Sequence, residues 1–367
     1  MTDIAGRLVC TPGAALGQAL RSTRRAWASV AAPGRAAGDL PALLASLFAL
    51  CGGAHRVAAE LAVRAARGDP QAPDTTQHEA LRQDTLREHL RRWWLDAADR
   101  AEGDAEADPR VLGTCPLLRQ PAPVDDAAVQ RWLVAHVFGQ DAAAWLEAWA
   151  AEAQPTAQLW STEGRTWPAR ALAALHHRLD GWSLPVQALP VQDLAAAAPA
   201  LAAQLQADPD FALQPLWQGR TTETGPWTRS AELALAPNRA EEFAPAWMRA
   251  AARVADVARL MAPDDPQALA AGSVALEAGL GLAWCEMARG LLIHVVQLDG
   301  QDRVRACHVL APTEWNFHPA GGLARALSAA DPRTPPARIG ALINAFDPCV
   351  GVDLERDDAA AQRAAHA

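Results

Sequence analysis

The 367-residue chain has no lysine and no tyrosine, and its 33 Lys/Arg-type side chains are all arginine. With its abundant alanine, this bias reads as GC-rich coding rather than as a functional signature. There is no long basic run and the formal net charge is −9. Nucleic acid is therefore not an expected partner, because binding it depends on neutralising phosphates with a basic surface. The start, "MTDIAGRLVC", has an early aspartate and no apolar segment of the signal-peptide type. The longest uncharged run, Leu40–Ala54, falls short of a membrane span and holds Pro41, Gly52 and Gly53, so no membrane insertion is expected. Cysteines 10, 51, 115, 285, 307 and 349 are scattered, with no CxxC among them. That excludes a disulfide framework and points to a reduced, cytoplasmic chain. No Ser/His/Asp arrangement, phosphate loop or HExxH occurs either.

What is present is apolar. Half the residues are hydrophobic and 14 are tryptophan, enough for a sizeable core. Helical patterns run over 40–67 (broken at Gly52-Gly53), 76–98, 126–152, 168–180, 191–206, 239–262, 265–288, 321–329 and 336–345. The 76–98 pattern carries charged i,i+4 partners on a face predicted to be solvated. "GLLIHVVQLDGQDRVRACHVL" alternates on both sides of Asp299-Gly300 and predicts a β-hairpin. Residues 1–37 read as short turns, 100–124 as an acidic, Pro-rich surface loop, and 153–168, 218–230 and 311–322 as loops or turns. The expected fold is mainly α (α+β), one domain over 1–367, with a short N-terminal region at 1–37 and a flexible tail at 356–367.

Several residues carry potential chemistry. Cys51 and His55 are four apart in "CGGAHR" and would share a face if the helix ran through. They read either as donors to a soft or borderline metal or as a buried thiol beside a glycine kink. Cys349 follows Asp347-Pro348, where proline ends the last helix, so its thiol is presented at a fixed bend. It reads as a ligand or as a small buried hydrophobe. Cys285 reads as core on a helix, Cys307 and His308 as opposite faces of a strand, and His176-His177 as a solvated pair. Glu286 and Arg289 are either a capping ion pair or a charge aimed into a pocket. Glu223 sits in a tight turn.

In order, "CGGAHRVAAELAV", "ETGPWTR", "EMARGLLIHVVQLDG", "PTEWNF" and "FDPC" resemble the large subunit of nickel–iron hydrogenases. That family shows RxCGxCxxxH, ETGPxAR, EAPRGxxxH, PTxWNF and a terminal DPCxxCxxH. The resemblance implies a hydrogenase large-subunit-like helical bundle with a small β-hairpin. It departs where the chemistry is. Phe48 and Val352 stand where each cysteine pair has its other member, and Glu355 stands where the last histidine would be. The RGxE element with its proton-relay glutamate has no match. Two thiolates cannot supply a nickel site built from four, so nickel is not expected.

This pattern resembles the HupK/HoxV group of hydrogenase maturation proteins. The resemblance implies an accessory scaffold, not an enzyme. Its cargo would be iron as Fe(CN)2CO, held in passing on Cys51 and Cys349, or on Cys51 with a thiolate from a partner. Arg289, His55, Glu223 and Asp347 would be the cofactor-binding residues: Arg289 would hydrogen-bond a cyanide, His55 would support a thiolate, and Glu223, with Glu286, would order the surrounding loops. The implied partners are iron-cyanide assembly chaperones and the immature hydrogenase large subunit. A divergent hydrogenase and a metal-free assembly chaperone are the alternatives.

Overall fold

The computed structural model describes residues 5–98, 109–119, 125–229, 242–262 and 268–355. Most of the loop expected at 100–124, residues 239–241 and the tail expected at 356–367 lie outside them. Among the described residues the fold is mainly helical, with small sheets.

The N-terminal region is more ordered than turns. Strand β1 (Arg7–Cys10) pairs antiparallel with β2 (Leu20–Ser22) and parallel with a strand at the other end of the described chain, Gly351–Leu354. Leu8 and Cys10 are fully buried. The partner strand lies over 300 residues away in sequence, so no local pattern reveals the pairing.

The helical stretch 40–67 divides into α1 (Leu40–Leu47), a short 3₁₀ turn Ala49–Cys51 and α2 (Gly52–Ala66), bent by 105° at the break. The break lies at Phe48, ahead of the predicted glycine pair, and Cys51 is the residue just before α2. The thiol therefore sits at a corner rather than on a helix face. No single helix among the described residues is long and apolar enough to cross a membrane.

Helix α3 (Thr75–Ala98) forms as predicted, but Glu88 and His89 on it are buried. The next stretch is broken after a π turn at Gly139 (φ +67°), between helices Asp126–Leu133 and Ala142–Ala151. Helix Ala153–Glu163 replaces most of the loop expected at 153–168. Helices Trp167–Arg178 and Leu194–Ala207 match their predicted spans. His176, expected to be solvated, stacks on Trp247 at 4.3 Å. Strand β3 (Ser183–Val186) pairs with β4 (Glu242–Pro245), which takes the start of the helix expected at 239–262; α4 (Met248–Leu260) takes the rest.

The largest correction is at 265–288. It is not a helix but strands β5 (Ala271–Glu277) and β6 (Leu280–Met287), joined through Gly279 at φ +79°. They extend the predicted hairpin, β7 (Gly290–Leu298) and β8 (Val304–Leu310), into a four-stranded antiparallel sheet. Both faces of the sheet are covered. Leu280, Leu282, Leu291, Ile293 and Val295 pack with the Leu194–Ala207 helix, Trp217 and Trp315. Ala283, Cys285, Leu292 and Val296 join the core that holds α2. A strand buried on both faces loses its period-two signature and reads as a continuous apolar run. Cys285 is thus core, as expected, but on a strand.

The loop predicted around "PTEWNF" is instead α5 (Pro312–Asn316), opened by its proline. Helix α6 (Pro336–Ala345) ends at Phe346, and β9 (Gly351–Leu354) closes on β1.

Helix α2 lies directly on β6 at Gly281. A Cβ there would stand 2.5 Å from the Ala62 carbonyl oxygen and closer still to the Ala66 nitrogen. Gly281→Ala is expected to cost about 1–3 kcal/mol through this clash and to lower the thermal midpoint by several degrees. Gly300→Ala, with nothing within 4 Å, is the control. Equal midpoints for the two variants, read by circular dichroism, would contradict this packing.

Candidate metal centre

Two tight turns bring the sequence motifs together. Gly290 (φ +123°) and Gly225 (φ +145°) face each other, and a Cβ on Gly290 would strike Thr224 at 2.6 Å. The Leu291 N–H donates to Thr224 Oγ1 (2.9 Å), and the Thr224 N–H donates to Asn316 Oδ1 (2.9 Å). Asn316 Nδ2 in turn donates to the Arg289 carbonyl (3.3 Å). One asparagine side chain thus ties "PTEWNF" to "ETGPW" and to the turn that carries Arg289.

Cys51, His55, Arg289 and Cys349 line one pocket of about 320 Å³, together with Phe48, Thr313, Arg24 and Met287. Cys51 arrives on the corner before α2, Cys349 on the turn after α6, and Arg289 on the β6–β7 turn. Burial, with the nearby Cys349 and Glu88, pushes the Cys51 thiol up to about 12, against the pull of Arg289 and Arg24. It holds its proton until an electrophile such as a metal displaces it. The Cys349 sulfur lies 2.9 Å from Thr313 Oγ1 and 3.8 Å from Arg24 Nη1. Among the described residues no group of three or more His, Cys, Asp or Glu side chains is placed to hold a metal ion. The donor set is two thiols, which suits a metal that brings ligands of its own.

Arg289 is 6% exposed and paired with Glu88 (3.2 Å) and Asp347 (3.5 Å). Desolvation disfavours its charge, but Asp347, the two thiol sulfurs and Glu88 outweigh that and raise its pKa. Its Nη1 is buried with no hydrogen-bond partner. Asp347 has φ +53° and lies between Arg289 and Arg92 (3.1 Å). Burial opposes its charge, yet Arg289, Arg92 and Arg253 hold its carboxyl below the usual range. Arg92 also donates to the Pro348 carbonyl (3.3 Å) and to Asn344 Oδ1 (3.3 Å), fixing the turn that presents Cys349.

His55 is buried, stacked on Phe48 at 4.1 Å, with Nδ1 3.1 Å from His294 Nε2. Burial, then His294 and Arg24, hold its pKa well below 6.5, and burial brings His294 to about 3. Both rings are neutral, so one donates to the other. His294 Nδ1 has no partner, and an unpaired acceptor costs less than an unpaired N–H. The favoured arrangement is His294 Nε2–H donating to His55 Nδ1, which leaves His55 Nε2–H as the donor on the pocket side.

Glu223 does not join the pocket. Its carboxylate forms a two-point pair with Arg249 (2.7 and 2.6 Å), and its backbone pairs with Gln187 and Leu189. Glu286 binds Arg229 (3.0 Å) and the Ala270 N–H (2.9 Å), while Arg229 also reaches Asp256 (2.6 Å). These pairs buttress the turns from behind.

Phe48, Val352 and Glu355 serve as structure. Phe48 stacks on His55, Val352 sits in β9 opposite Leu8, and Glu355 pairs with Arg21 at 2.7 Å. Sequence reasoning missed Glu88, Arg92, Arg24, Glu314, Thr313 and His294. The last three lie inside quoted motifs, and Arg24 lies in the N-terminal stretch read as short turns. Glu88 and Arg92 were hidden in a helix face read as solvated.

No protein-family model matches the chain. The chain is 38% identical to the hydrogenase expression/formation protein HoxV of Cupriavidus necator, over 96% of either chain. This chain belongs to the HoxV/HupK family. Its similarity to the hydrogenase expression/formation protein HupK of Bradyrhizobium diazoefficiens is 33%, over 88% of either chain. Solved structures place the family's fold among hydrogenase large subunits. The reduced Ni-Fe-Se hydrogenase of Desulfovibrio vulgaris Hildenborough matches 90% of this chain and 92% of its own, at TM-score 0.50 and 14% identity. The G491S variant of the same enzyme matches 94% and 93%, at TM-score 0.51 and 16% identity. At such identity the likeness concerns the fold alone.

The histidine pair gives this HoxV/HupK chain a pH dependence. Above pH 6.5 both histidines are neutral, folded or unfolded. Below it the unfolded chain takes up protons that folded His294 refuses until about pH 3. Stability therefore falls as pH drops, by about 1.4 kcal/mol per pH unit for each histidine. Denaturant midpoints at pH 7 and pH 5 are expected to differ less in His294→Asn than in the unaltered protein. Equal differences would count against a neutral, buried pair.

Proposed function

We propose that this chain serves hydrogenase formation as an accessory scaffold, not as an enzyme. In the cytoplasm it takes up iron carrying two cyanides and one carbon monoxide, holds it in passing and yields it to the immature hydrogenase large subunit. Iron-cyanide assembly chaperones are the donors. The observation that carries this reading is the pairing of Cys51 and Cys349 with Arg289 on one pocket wall.

Low-spin iron with strong-field ligands accepts thiolate donors, and soft donors are what this pocket offers. Loading forms an iron–sulfur bond at each thiol as the S–H proton leaves to solvent. Unloading reverses both changes. Arg289, on the pocket wall, suits a cyanide nitrogen in a charge-assisted hydrogen bond. His55 Nε2–H suits a thiolate sulfur. Phe48 and Val352 offer no donor atoms, so nickel lacks the ligands it would need and the iron grip stays partial. A partial grip favours release. Asp347 orients Arg289 and the Cys349 turn, and Glu223 orders the loop behind.

Infrared spectroscopy tests the reading on protein purified anaerobically from cells that also make the cyanide-bearing iron unit. Two cyanide bands and one carbonyl band are expected, and both Cys51→Ala and Cys349→Ala should abolish them with the fold intact. Bands that survive in Cys349→Ala alone would assign the iron to Cys51 with a thiolate from elsewhere. Folded, unaltered protein without bands would overturn the scaffold. Stoichiometric nickel with hydrogen-dependent dye reduction would instead mark a divergent hydrogenase.

A further inference from the structure

The pocket wall carries three arginines, Arg24, Arg25 and Arg289, and no carboxylate. Arg289 belongs to a motif that the sequence revealed. Arg24 does not. It follows β2, in a stretch matching none of the five motifs, yet its side chain is only 11% exposed. Its Nε donates to Glu314 Oε1 at 2.8 Å, and its Nη1 points at Cys349 Sγ (3.8 Å) and the Ala5 carbonyl (3.4 Å). Gly6, at φ +71°, lets the first strand's approach lie against the Arg24 backbone, where a Cβ would stand 2.7 Å from the Arg24 Cα.

Glu314 explains how a guanidinium can be held there. It occupies the open position of P-T-x-W-N-F and its side chain is 7% exposed. A buried carboxylate is costly unless it is paired, and Arg24 is its partner. One edge of the guanidinium is thus anchored while the other faces the thiol. The geometry is that of a cation aimed at whatever occupies the Cys349 side of the pocket.

We propose that Arg24, tethered by Glu314, makes this pocket selective for an anionic occupant. The identity of that anion rests on the iron-cargo reading; the selectivity itself rests on the wall charges alone. Iron(II) with two cyanides and two thiolates carries a net charge of two minus. Arg24 and Arg289 flank it from opposite segments, each braced from behind by carboxylates and presenting guanidinium N–H groups on a wall that has no carboxylate of its own. A metal aquo complex would find no anionic oxygen on that wall, which gives the pocket a means to disfavour free divalent ions.

The test uses two alkylating probes of similar size on the iron-free full-length protein, with the Cys349 peptide quantified by mass spectrometry. Iodoacetate is an anion and iodoacetamide is neutral; in each case the sulfur–carbon bond forms as iodide leaves and the thiol proton goes to solvent. The iodoacetate-to-iodoacetamide rate ratio at Cys349 is expected to exceed that of free glutathione in the same buffer by about three- to tenfold. Arg24→Gln should remove most of the excess, and Arg24→Lys should keep most of it. A Cys349 ratio equal to that of glutathione in the unaltered protein overturns the proposal, even if Arg24→Gln fails to fold. So does an undiminished ratio in folded Arg24→Gln. No iron is needed, so a raised ratio with no infrared bands would sink the cargo and leave the anion selectivity standing.

Discussion

The site depends on one buried carboxylate. Asp347 lies at the end of α6, where the chain must turn before Pro348 and deliver Cys349. It is 6% exposed and would be costly there without opposite charge. Arg92 reaches it from α3 and Arg289 from the β6–β7 turn, so three distant segments meet at one charge. Asp347 and Glu88 both pair with Arg289, and Arg92 donates to the Pro348 carbonyl in the turn that carries Cys349. Geometry at the two thiols is therefore an electrostatic consequence of charges behind them.

The turns that frame the pocket and the thiols that line it rest on different residues. Asn316, Thr224, Gly225 and Gly290 hold the turns together through backbone contacts. None of them is a thiol. Phe48 stacks on the neutral His55 ring, and Val352 joins a strand that packs on the core. Phe48 and Val352 thus contribute packing and no donor atom.

The five motifs were legible because each is short, local and dense in special residues. Order along the chain was enough to place Cys51, Cys349, Arg289 and the mainly helical fold. Glu223 was legible only as a motif member; its partner Arg249 lies in a helix that no local pattern joins to it. The strand at 280–287 was read as helix because apolar side chains fill both of its covered faces. Arg24 and Glu88 were beyond reach for a different reason. Burial of a charge is set by partners that arrive from far along the chain, here Glu314 and Arg289, and a local pattern reports such charges as solvated.

The central claim is that this pocket holds low-spin iron and no nickel. Mössbauer spectroscopy of iron-57-enriched protein, isolated anaerobically with the iron-assembly machinery present and paired with elemental analysis, addresses it most directly. The expected result is a single diamagnetic iron(II) doublet with nickel absent. High-spin iron alone, or nickel in stoichiometric amount, would contradict it.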